Sequence, residues 1–286
     1  MKKRFKLSQI FVYIFVASIV VITLFPLVRT FSYSFFHPDE ITGILKSRNN
    51  FDNTKWIVSN FTPSRFSLNQ HYKIFIGDPA ILKLFTNSVI YVSLILLGQA
   101  LVIPALSFAL AKLRFKGKNV LFFMIIVLMV LPFQVTMSPN ILTLQKLGLL
   151  NSIWAIILPA SFSPFYIFLL RQYMLNIPTE LLEAAALDGR GAFGTFFYVA
   201  LPVSKPIIGA AVSLSFADIW NMAEQPLAFL SNRQDLMPLS VMFNVIGDKN
   251  AEIAFAGAVL YILPALFVFF FFQKDITEGL QLSEMK

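Results

Sequence analysis

The sequence contains no cysteine and only two histidines among its 286 residues. The lack of cysteine excludes disulfides, thiolate metal sites and cysteine nucleophiles. Both histidines, His37 and His71, lie in one polar stretch, so no histidine pair with metal-ligand spacing occurs in the apolar segments. Charged residues make up only 13% of the chain, whereas soluble domains carry roughly 25%. This shortage of charge indicates a protein of the lipid bilayer.

Apolar sequence is abundant instead: 57% of the residues are hydrophobic, and 32 are phenylalanine. A helix that crosses a membrane needs about 20 largely apolar residues. Stretches of this kind run over residues 10–36, 82–111, 119–139, 152–172, 205–224 and 254–273. We therefore predict an all-α polytopic membrane protein with six transmembrane helices. The first stretch is longer than a signal-peptide core and no small-residue cleavage site follows it, which favours a retained span.

The distribution of basic residues predicts the orientation. With the N-terminus in the cytoplasm, the cytoplasmic side receives 13 basic and six acidic residues, and the opposite side receives ten basic and nine acidic residues. This asymmetry follows the positive-inside rule, so the net charge of +8 requires no nucleic-acid partner. Both termini are predicted to be cytoplasmic. The predicted divisions are an N-terminus with the first span (1–36), an external loop with turns (37–80), a five-span core (81–275) that contains a polar loop (176–204), and a cytoplasmic tail (276–286).

The polar loop between the fourth and fifth spans contains a short, acidic, alanine-rich segment. Its sequence predicts a helix with Thr179 as the N-cap and with Glu180 and Glu183 in the first turn, where the helix dipole favours carboxylates. Gly189 stands where a residue in the left-handed conformation ends a helix. Two interpretations follow from the residues alone: a knob that docks into a soluble partner, or an amphipathic helix that lies on the membrane.

The sequence from Glu183 to Gly189 reads Glu-Ala-Ala-Ala-Leu-Asp-Gly and is followed by Leu201-Pro202. It resembles the "EAA" loop in the permease subunits of ATP-binding-cassette (ABC) importers. Most of the chain resembles carbohydrate-importer permeases, in particular the maltose-type second permease. The stretches that carry this resemblance are 66–72, 87–88, 113–118, 147–152, 168–172, 220–221, 272–274 and 278–280.

The resemblance implies a type I ABC importer permease fold in the bacterial cell membrane, with a cytoplasmic coupling helix. In that family the helix docks on the ATPase, and the matching contact residues here are Glu183, Ala184, Ala185, Asp188 and Gly189. The implied partners are a homologous permease in a heterodimer, two ATPase subunits that bind ATP and Mg, an external solute-binding protein and a sugar. No cofactor is expected on this chain, which has no phosphate-binding glycine loop and no nucleophile–base pair.

Polar residues near the end of the fifth span are candidates for the substrate path, because charges near membrane spans are costly and mark functional sites. The candidate residues are Asp218, Trp220, Asn221, Glu224, Gln225 and Tyr261. The aromatic members are candidates to stack on sugar rings. Alternatively, Trp220 anchors the chain at the membrane interface and the polar residues satisfy neighbouring helices. The family usually has bulky apolar residues where this chain has Glu224, which leaves a non-sugar or acidic-saccharide cargo open.

Three further polar residues lie in the predicted spans. Arg29 is expected to snorkel or to pair with a carboxylate, and Gln99 and Gln134 are expected to form hydrogen bonds between helices. A rival class is a stand-alone secondary carrier, although such carriers usually contain two related halves and this sequence shows no internal repeat. A membrane-embedded enzyme would need convergent titratable groups in the spans, and the sequence shows none.

Overall fold

The computed structural model describes residues 7–49, 60–77, 79–241 and 253–284, and these ranges are mostly helical. Within them the only β pairing is an isolated antiparallel bridge between Phe36 and Phe66. The helices are α1 (Leu7–Tyr33), α2 (Pro38–Asn49), α3 (Asn69–Tyr72), α4 (Pro79–Lys112), α5 (Lys118–Val130), α6 (Phe133–Lys146), α7 (Trp154–Ala160), α8 (Pro164–Leu175), α9 (Thr179–Leu187), α10 (Ala192–Thr195), α11 (Leu201–Val203), α12 (Lys205–Trp220), α13 (Glu224–Phe229) and α14 (Ala254–Glu284). Single π-helical turns cover Lys73–Gly77 and Phe196–Ala200, and short 3-10 turns cover Gln234–Leu236 and Leu239–Val241.

Four of the described helices are long and apolar enough to cross a membrane, and the number rises to six if each of two bent helix pairs is one span. This agrees with the predicted polytopic all-α fold. The chain divides into two compact units, Met1–Leu82 with Met242–Leu263, and Lys83–Val241 with Pro264–Lys286. The second unit carries the polar loop.

In the first unit, the polar stretch after α1 contains a helix that the sequence analysis did not predict. Residues 37–80 were expected to form a loop with turns, but α2 covers Pro38–Asn49. Pro38 is its first residue, where a missing N–H costs nothing, and Asp39 and Glu40 follow in the first turn, where carboxylates stabilise a helix. Pro38 therefore begins a helix here instead of marking a turn.

Two polar side chains fix the segment that follows α2. The Glu40 carboxylate accepts the backbone N–H groups of Ser64 and Arg65 at 3.2 and 2.8 Å. The buried Gln70 amide donates to the carbonyls of Tyr33 and Phe36 at 3.3 and 2.8 Å. The segment around residues 64–70 is therefore tied both to the end of α1 and to the start of α2.

Arg29 lies among aromatic rings in this first unit. Its guanidinium carbon is 4.6 Å from the ring centroid of Tyr33, 5.7 Å from that of Phe25 and 5.9 Å from that of Phe61. It also donates a hydrogen bond to the Tyr33 hydroxyl. Arg29 therefore makes cation–π contacts with the aromatic rings around it.

In the second unit, α4, α5, α8 and α12 pack around a common apolar core. Ile103 and Leu110 of α4, Ile167 and Leu170 of α8, and Ile207 of α12 belong to it. A Cβ added at Gly98 of α4 would clash with the Ser161 hydroxyl, so glycine allows the close approach of these segments. Lipid is as apolar as the side chains, so the hydrophobic effect does not bring membrane helices together. Close packing of their backbones contributes instead.

Glutamine side chains connect helices, as predicted from the sequence. Gln99 donates to the Ala160 carbonyl at 2.8 Å and accepts the Ser215 hydroxyl at 2.5 Å, which joins α4 to α7 and α12. Gln134 of α6 donates to the Glu224 carboxylate at 2.9 Å. Both interhelical bonds confirm the expectation.

The predicted third span, 119–139, is not one straight helix. α5 ends at Val130, and α6 leaves at an angle of 110°. Leu131 precedes Pro132 and is extended, as residues before proline are. The 13 residues of α5 rise about 20 Å, which is shorter than a hydrocarbon core of about 30 Å, so α5 alone does not reach across it.

The remaining span boundaries also shift. The predicted fourth span, 152–172, corresponds to Trp154–Leu175, which a short break before Pro164 divides into α7 and α8. The fifth, 205–224, ends as α12 at Trp220, and Glu224 already begins α13. The helix of the sixth span, predicted to end near residue 273, continues to Glu284 through part of the expected tail.

Candidate functional site

The alanine-rich segment of the polar loop forms the helix α9, Thr179–Leu187. Its N-terminus differs from the prediction: Pro178 is the N-cap, Thr179 is the first helical residue, and no side chain caps the helix. Glu180 lies in the first turn, whereas Glu183 falls one turn later. The helix therefore starts one residue earlier than predicted, directly after Pro178, whose ring fixes its φ.

The C-terminus of α9 agrees with the prediction. Gly189 has φ of +76°, the left-handed conformation that glycine adopts without a steric penalty. The Arg190 N–H donates to the Ala185 carbonyl and the Gly189 N–H donates to the Ala186 carbonyl, both at 3.0 Å. This pair of bonds is the Schellman motif, which satisfies the last carbonyls of the helix and stops it.

Exposure divides the predicted contact residues into two groups. Glu183, Ala184, Asp188 and Gly189 are exposed, whereas Ala185 is 5% exposed and packs against the rest of the chain. Leu187, which the sequence analysis did not single out, is 90% exposed. The helix therefore presents Leu187 outward and is anchored by Ala185.

The loop is mounted on the ends of α4 and α8. The Lys112 ammonium donates to the carbonyls of Leu175 and Ile177 at 3.1 and 2.7 Å, which satisfies acceptors at the C-terminus of α8. An apolar cluster lies beneath this contact and comprises Phe108, Ala111, Met174, Ile177, Phe196 and Ala200. The base of α9 cannot move without moving the helices that hold it. The sequence analysis did not single out Lys112.

After α9 the chain turns back toward the membrane. Gly191 is extended, and the segment Ala192–Val203 then bends by 74° into α12. Phe193 is 83% exposed at the start of this segment. The guanidinium carbon of Arg190 lies 3.9 Å from the ring centroid of Tyr198. This cation–π contact joins the end of α9 to the segment that follows it.

The candidate substrate-path residues near the end of α12 have different surroundings. Asp218 is exposed and accepts the Tyr166 hydroxyl at 2.6 Å. The exposed Asn221 amide donates to the Ala217 carbonyl of its own helix at 2.8 Å, and Glu224 is exposed and accepts Gln134. The structure therefore brings Asp218, Asn221 and Glu224 to the surface of one unit.

The other candidates are buried or half-buried. Trp220 is 2% exposed, because Phe216 stacks on it at 5.6 Å and Phe85 meets it edge-on at 6.0 Å. Gln225 is half-buried, and its amide oxygen has no hydrogen-bond partner. Tyr261 is half-buried in the first unit. Trp220 therefore exposes almost no surface within the described chain. Among the described residues, no group of three or more His, Asp or Glu side chains is placed to hold a metal ion.

The family profile described as "Binding-protein-dependent transport system inner membrane component" matches residues 102–277, a range that contains α9 and the whole polar loop. The chain belongs to this family. It is a permease subunit of an ABC importer, that is, a multi-pass transport subunit whose ATPase is a separate polypeptide.

Similar proteins cover nearly the whole permease. The arabinooligosaccharides transport system permease protein AraQ of Halalkalibacterium halodurans is 34% identical over 230 residues, which are 79% of this chain and 82% of that protein. The polygalacturonan/rhamnogalacturonan transport system permease protein YtcP of Bacillus subtilis is 28% identical over 306 residues, covering 100% of both chains. A crystal structure of a bacterial ABC transporter involved in the import of the acidic polysaccharide alginate matches with a TM-score of 0.80 at 20% identity, over 96% of this chain and 99% of that chain. This last likeness confirms the predicted fold.

The opposite end of α4 in the permease holds the segment that follows α13. Asn87 donates to the carbonyls of Asp235 and Met237, both at 2.9 Å, and the Tyr91 hydroxyl donates to Leu236 at 2.8 Å. The Ser88 hydroxyl accepts the Leu239 N–H at 2.7 Å. Asn87 and Ser88 were noted in the sequence only as part of the family pattern. The sequence feature that could have indicated this role is a run of polar residues near the start of an apolar helix.

Two further contacts shape the segment that follows α13. Asn151 has φ of +61°, a conformation that costs a non-glycine residue energy, and its side chain accepts the Asn232 N–H at 3.1 Å. Arg233 donates to both oxygens of Asp235 at 2.8 and 2.9 Å. This hydrogen bond lowers the pKa of the Asp235 carboxyl. The hydrogen bond from Asn232 to Asn151 and the ion pair between Arg233 and Asp235 therefore both fix the conformation of this segment.

Proposed function

We propose that this chain is one of two homologous permease subunits in an ATP-driven importer that takes up a sugar or oligosaccharide delivered by an external solute-binding protein. The single observation that carries the proposal is α9: an exposed helix with a Schellman end, mounted on α4 and α8 through Lys112 and the cluster beneath it. Such a helix transmits movement of whatever it contacts to the spans. The contact surface comprises Glu183, Ala184, Leu187, Asp188 and Gly189.

The ATPase pair would lie in the cytoplasm and would bind ATP and Mg. The asymmetry of basic residues supports this side for the loop, because α9 then shares a compartment with the basic loop between α4 and α5. Both termini are cytoplasmic in this orientation. The external solute-binding protein would meet the opposite face, where the segment held by Asn87 and Tyr91 lies.

We favour a neutral saccharide as cargo. The similar proteins named above are described as permeases for arabinooligosaccharides and for polygalacturonan/rhamnogalacturonan, which supports a saccharide cargo. Asp218 and Glu224 are exposed, and in the described part of the chain their partners are the neutral groups of Tyr166 and Gln134. Two carboxylates without a paired cation repel an acidic sugar and accept hydroxyl groups.

The test is ATP hydrolysis by the complete complex in lipid, with and without loaded binding protein. Loaded binding protein is expected to stimulate the wild type, and Gly189→Trp is expected to abolish stimulation because the indole stands on the docking face. Gly43→Trp controls for the bulk of the indole, because a Cβ at either glycine meets nothing within 4 Å and Gly43 lies in α2 of the other unit. Gly189→Ala controls for the backbone strain that any side chain causes at the left-handed φ of Gly189. If the chain alone moves solute down a gradient and never associates with an ATPase, it is a stand-alone carrier and the proposal is wrong.

A further inference from the structure

A groove runs along the second half of α4 in the second unit. Its volume is about 350 Å³. Apolar side chains of α4 and of the segment after Gly191 line it, among them Leu101, Ala105, Phe108, Phe193, Phe196 and Phe197. Sites of roughly 300–1,000 Å³ hold small organic molecules, so the groove has room for part of a lipid acyl chain.

A basic concavity adjoins one end of this groove. Leu113 lines both the groove and a second open concavity of about 400 Å³, which Arg114 and Lys118 also line. Lys118 is held by the carbonyls of Ala111 and Leu113, both at 3.0 Å. Arg114 and Lys116 are exposed, and within the described ranges neither makes a hydrogen bond or an ion pair. Arg114 therefore lines this concavity without a partner in the described chain, and Lys116 is exposed two positions further along the same loop.

The other wall of the groove has the geometry of a helix at the membrane surface. The segment Ala192–Val203 bends by 74° from α12, and Phe197 and Tyr198 on it are 56% and 68% exposed. Exposed aromatic residues on a helix that does not continue a span are typical of the layer between headgroups and acyl chains. The groove therefore runs from this layer toward the centre of the bilayer.

We propose that the groove binds one acyl chain of an anionic phospholipid of the cytoplasmic leaflet, with its phosphate held by Arg114 and Lys116. Basic pockets beside spanning helices on the cytoplasmic side bind anionic headgroups. Charge complementarity favours a lipid over an apolar helix of the partner permease, because such a helix would leave both cations without a counter-charge. The bound lipid would support the segment that follows α9. The proposal concerns lipid binding only, so it does not depend on which cargo is carried.

The first test measures tightly bound lipid. The complete complex is reconstituted in vesicles of phosphatidylcholine and phosphatidylglycerol, extracted in mild detergent, and analysed by native mass spectrometry. Each of Arg114→Gln and Lys116→Gln is expected to lower bound phosphatidylglycerol about fivefold, the change expected for one basic residue near an anionic surface. Ala105→Phe is expected to displace the lipid by filling the groove. Variants that retain as much phosphatidylglycerol as the wild type would overturn the proposal.

Matched controls and a crosslink make the result specific. Lys146→Gln removes an exposed cation of α6 that has no partner in the described chain, and Val102→Phe adds bulk to α4 outside the groove; both are expected to leave bound lipid unchanged. Because the chain has no cysteine, Ala105→Cys can carry a single photoreactive label. A phospholipid adduct is the expected product. An adduct to the partner permease would show that a protein helix fills the groove and would refute the lipid site.

Discussion

Gly189 offers a test of whether the end of α9 controls docking of the ATPase. Its left-handed backbone and the free space around it allow the effect of strain to be separated from the effect of contacts. With φ of +76°, an alanine there would be strained, while its Cβ would meet nothing within 4 Å. The cost of Gly189→Ala is therefore the left-handed penalty alone, about 1–2 kcal/mol. At about 1.4 kcal/mol per tenfold change, docking of the ATPase subunit is expected to weaken about five- to thirtyfold.

Two companion variants separate backbone strain from contact with the ATPase. Asparagine adopts the left-handed conformation more readily than alanine but is larger. If strain is the cause, Gly189→Asn binds the ATPase better than Gly189→Ala; if the partner approaches closely, it binds worse. Gly191→Ala is the control, because Gly191 is exposed and extended (φ −73°, ψ −177°), and a Cβ there also meets nothing.

The assay is the affinity of the purified ATPase for the permease pair in lipid nanodiscs, measured by titration, together with ATP hydrolysis stimulated by loaded binding protein. Gly191→Ala is expected to match the wild type in both. Equal effects of Gly189→Ala and Gly191→Ala, or wild-type affinity in Gly189→Ala, would show that the Schellman end of α9 does not control docking.

Three further predictions address other contacts. Lys112→Met removes charge-assisted hydrogen bonds worth about 1.5–3 kcal/mol each and is expected to raise the ATP hydrolysed per solute imported, whereas Lys146→Met, at an exposed cation of α6 with no partner in the described chain, should not change this ratio. Asn151→Ala is expected to destabilise the complex by about 1–2 kcal/mol more than Asn151→Gly in thermal unfolding, because both lose the bond to Asn232 but only alanine keeps the strain. The double change Asp218→Asn with Glu224→Gln is expected to raise uptake of uronic-acid oligosaccharides relative to neutral ones, and an unchanged ratio would count against the neutral-cargo proposal.

Features that local sequence determines were predicted well. The stop of α9 follows from a glycine after an alanine-rich run, and the positions of the apolar stretches follow from the length that a bilayer requires. Gln99 was also recognised, because an amide in an apolar helix must find a partner. In these cases the chemistry of the residues themselves determines the local structure.

Features that depend on distant partners were not predictable. The carbonyls that Lys112 binds lie 63 and 65 positions away, so its role as an anchor of the loop is invisible in the local pattern. Trp220 looked like an interface or ligand-stacking residue, but its burial depends on Phe85 of another helix. The 110° bend after α5 depends on how the chain packs beyond Pro132, since many spanning helices carry proline without such a turn.

Helix α4 connects the two ends of the permease core, and this suggests a path for coupling. Tyr91 holds the segment that follows α13 and Lys112 holds the base of α9, and these two residues are 21 positions apart, about 32 Å along one helix. Side chains this far apart usually have additive effects, within about 0.5 kcal/mol. If α4 moves as a unit, Tyr91→Phe and Lys112→Met combined are expected to change stimulated ATP hydrolysis by clearly less than the product of their separate effects. An additive double variant, with both single variants impaired, would show that the segment that follows α13 and the coupling loop respond independently.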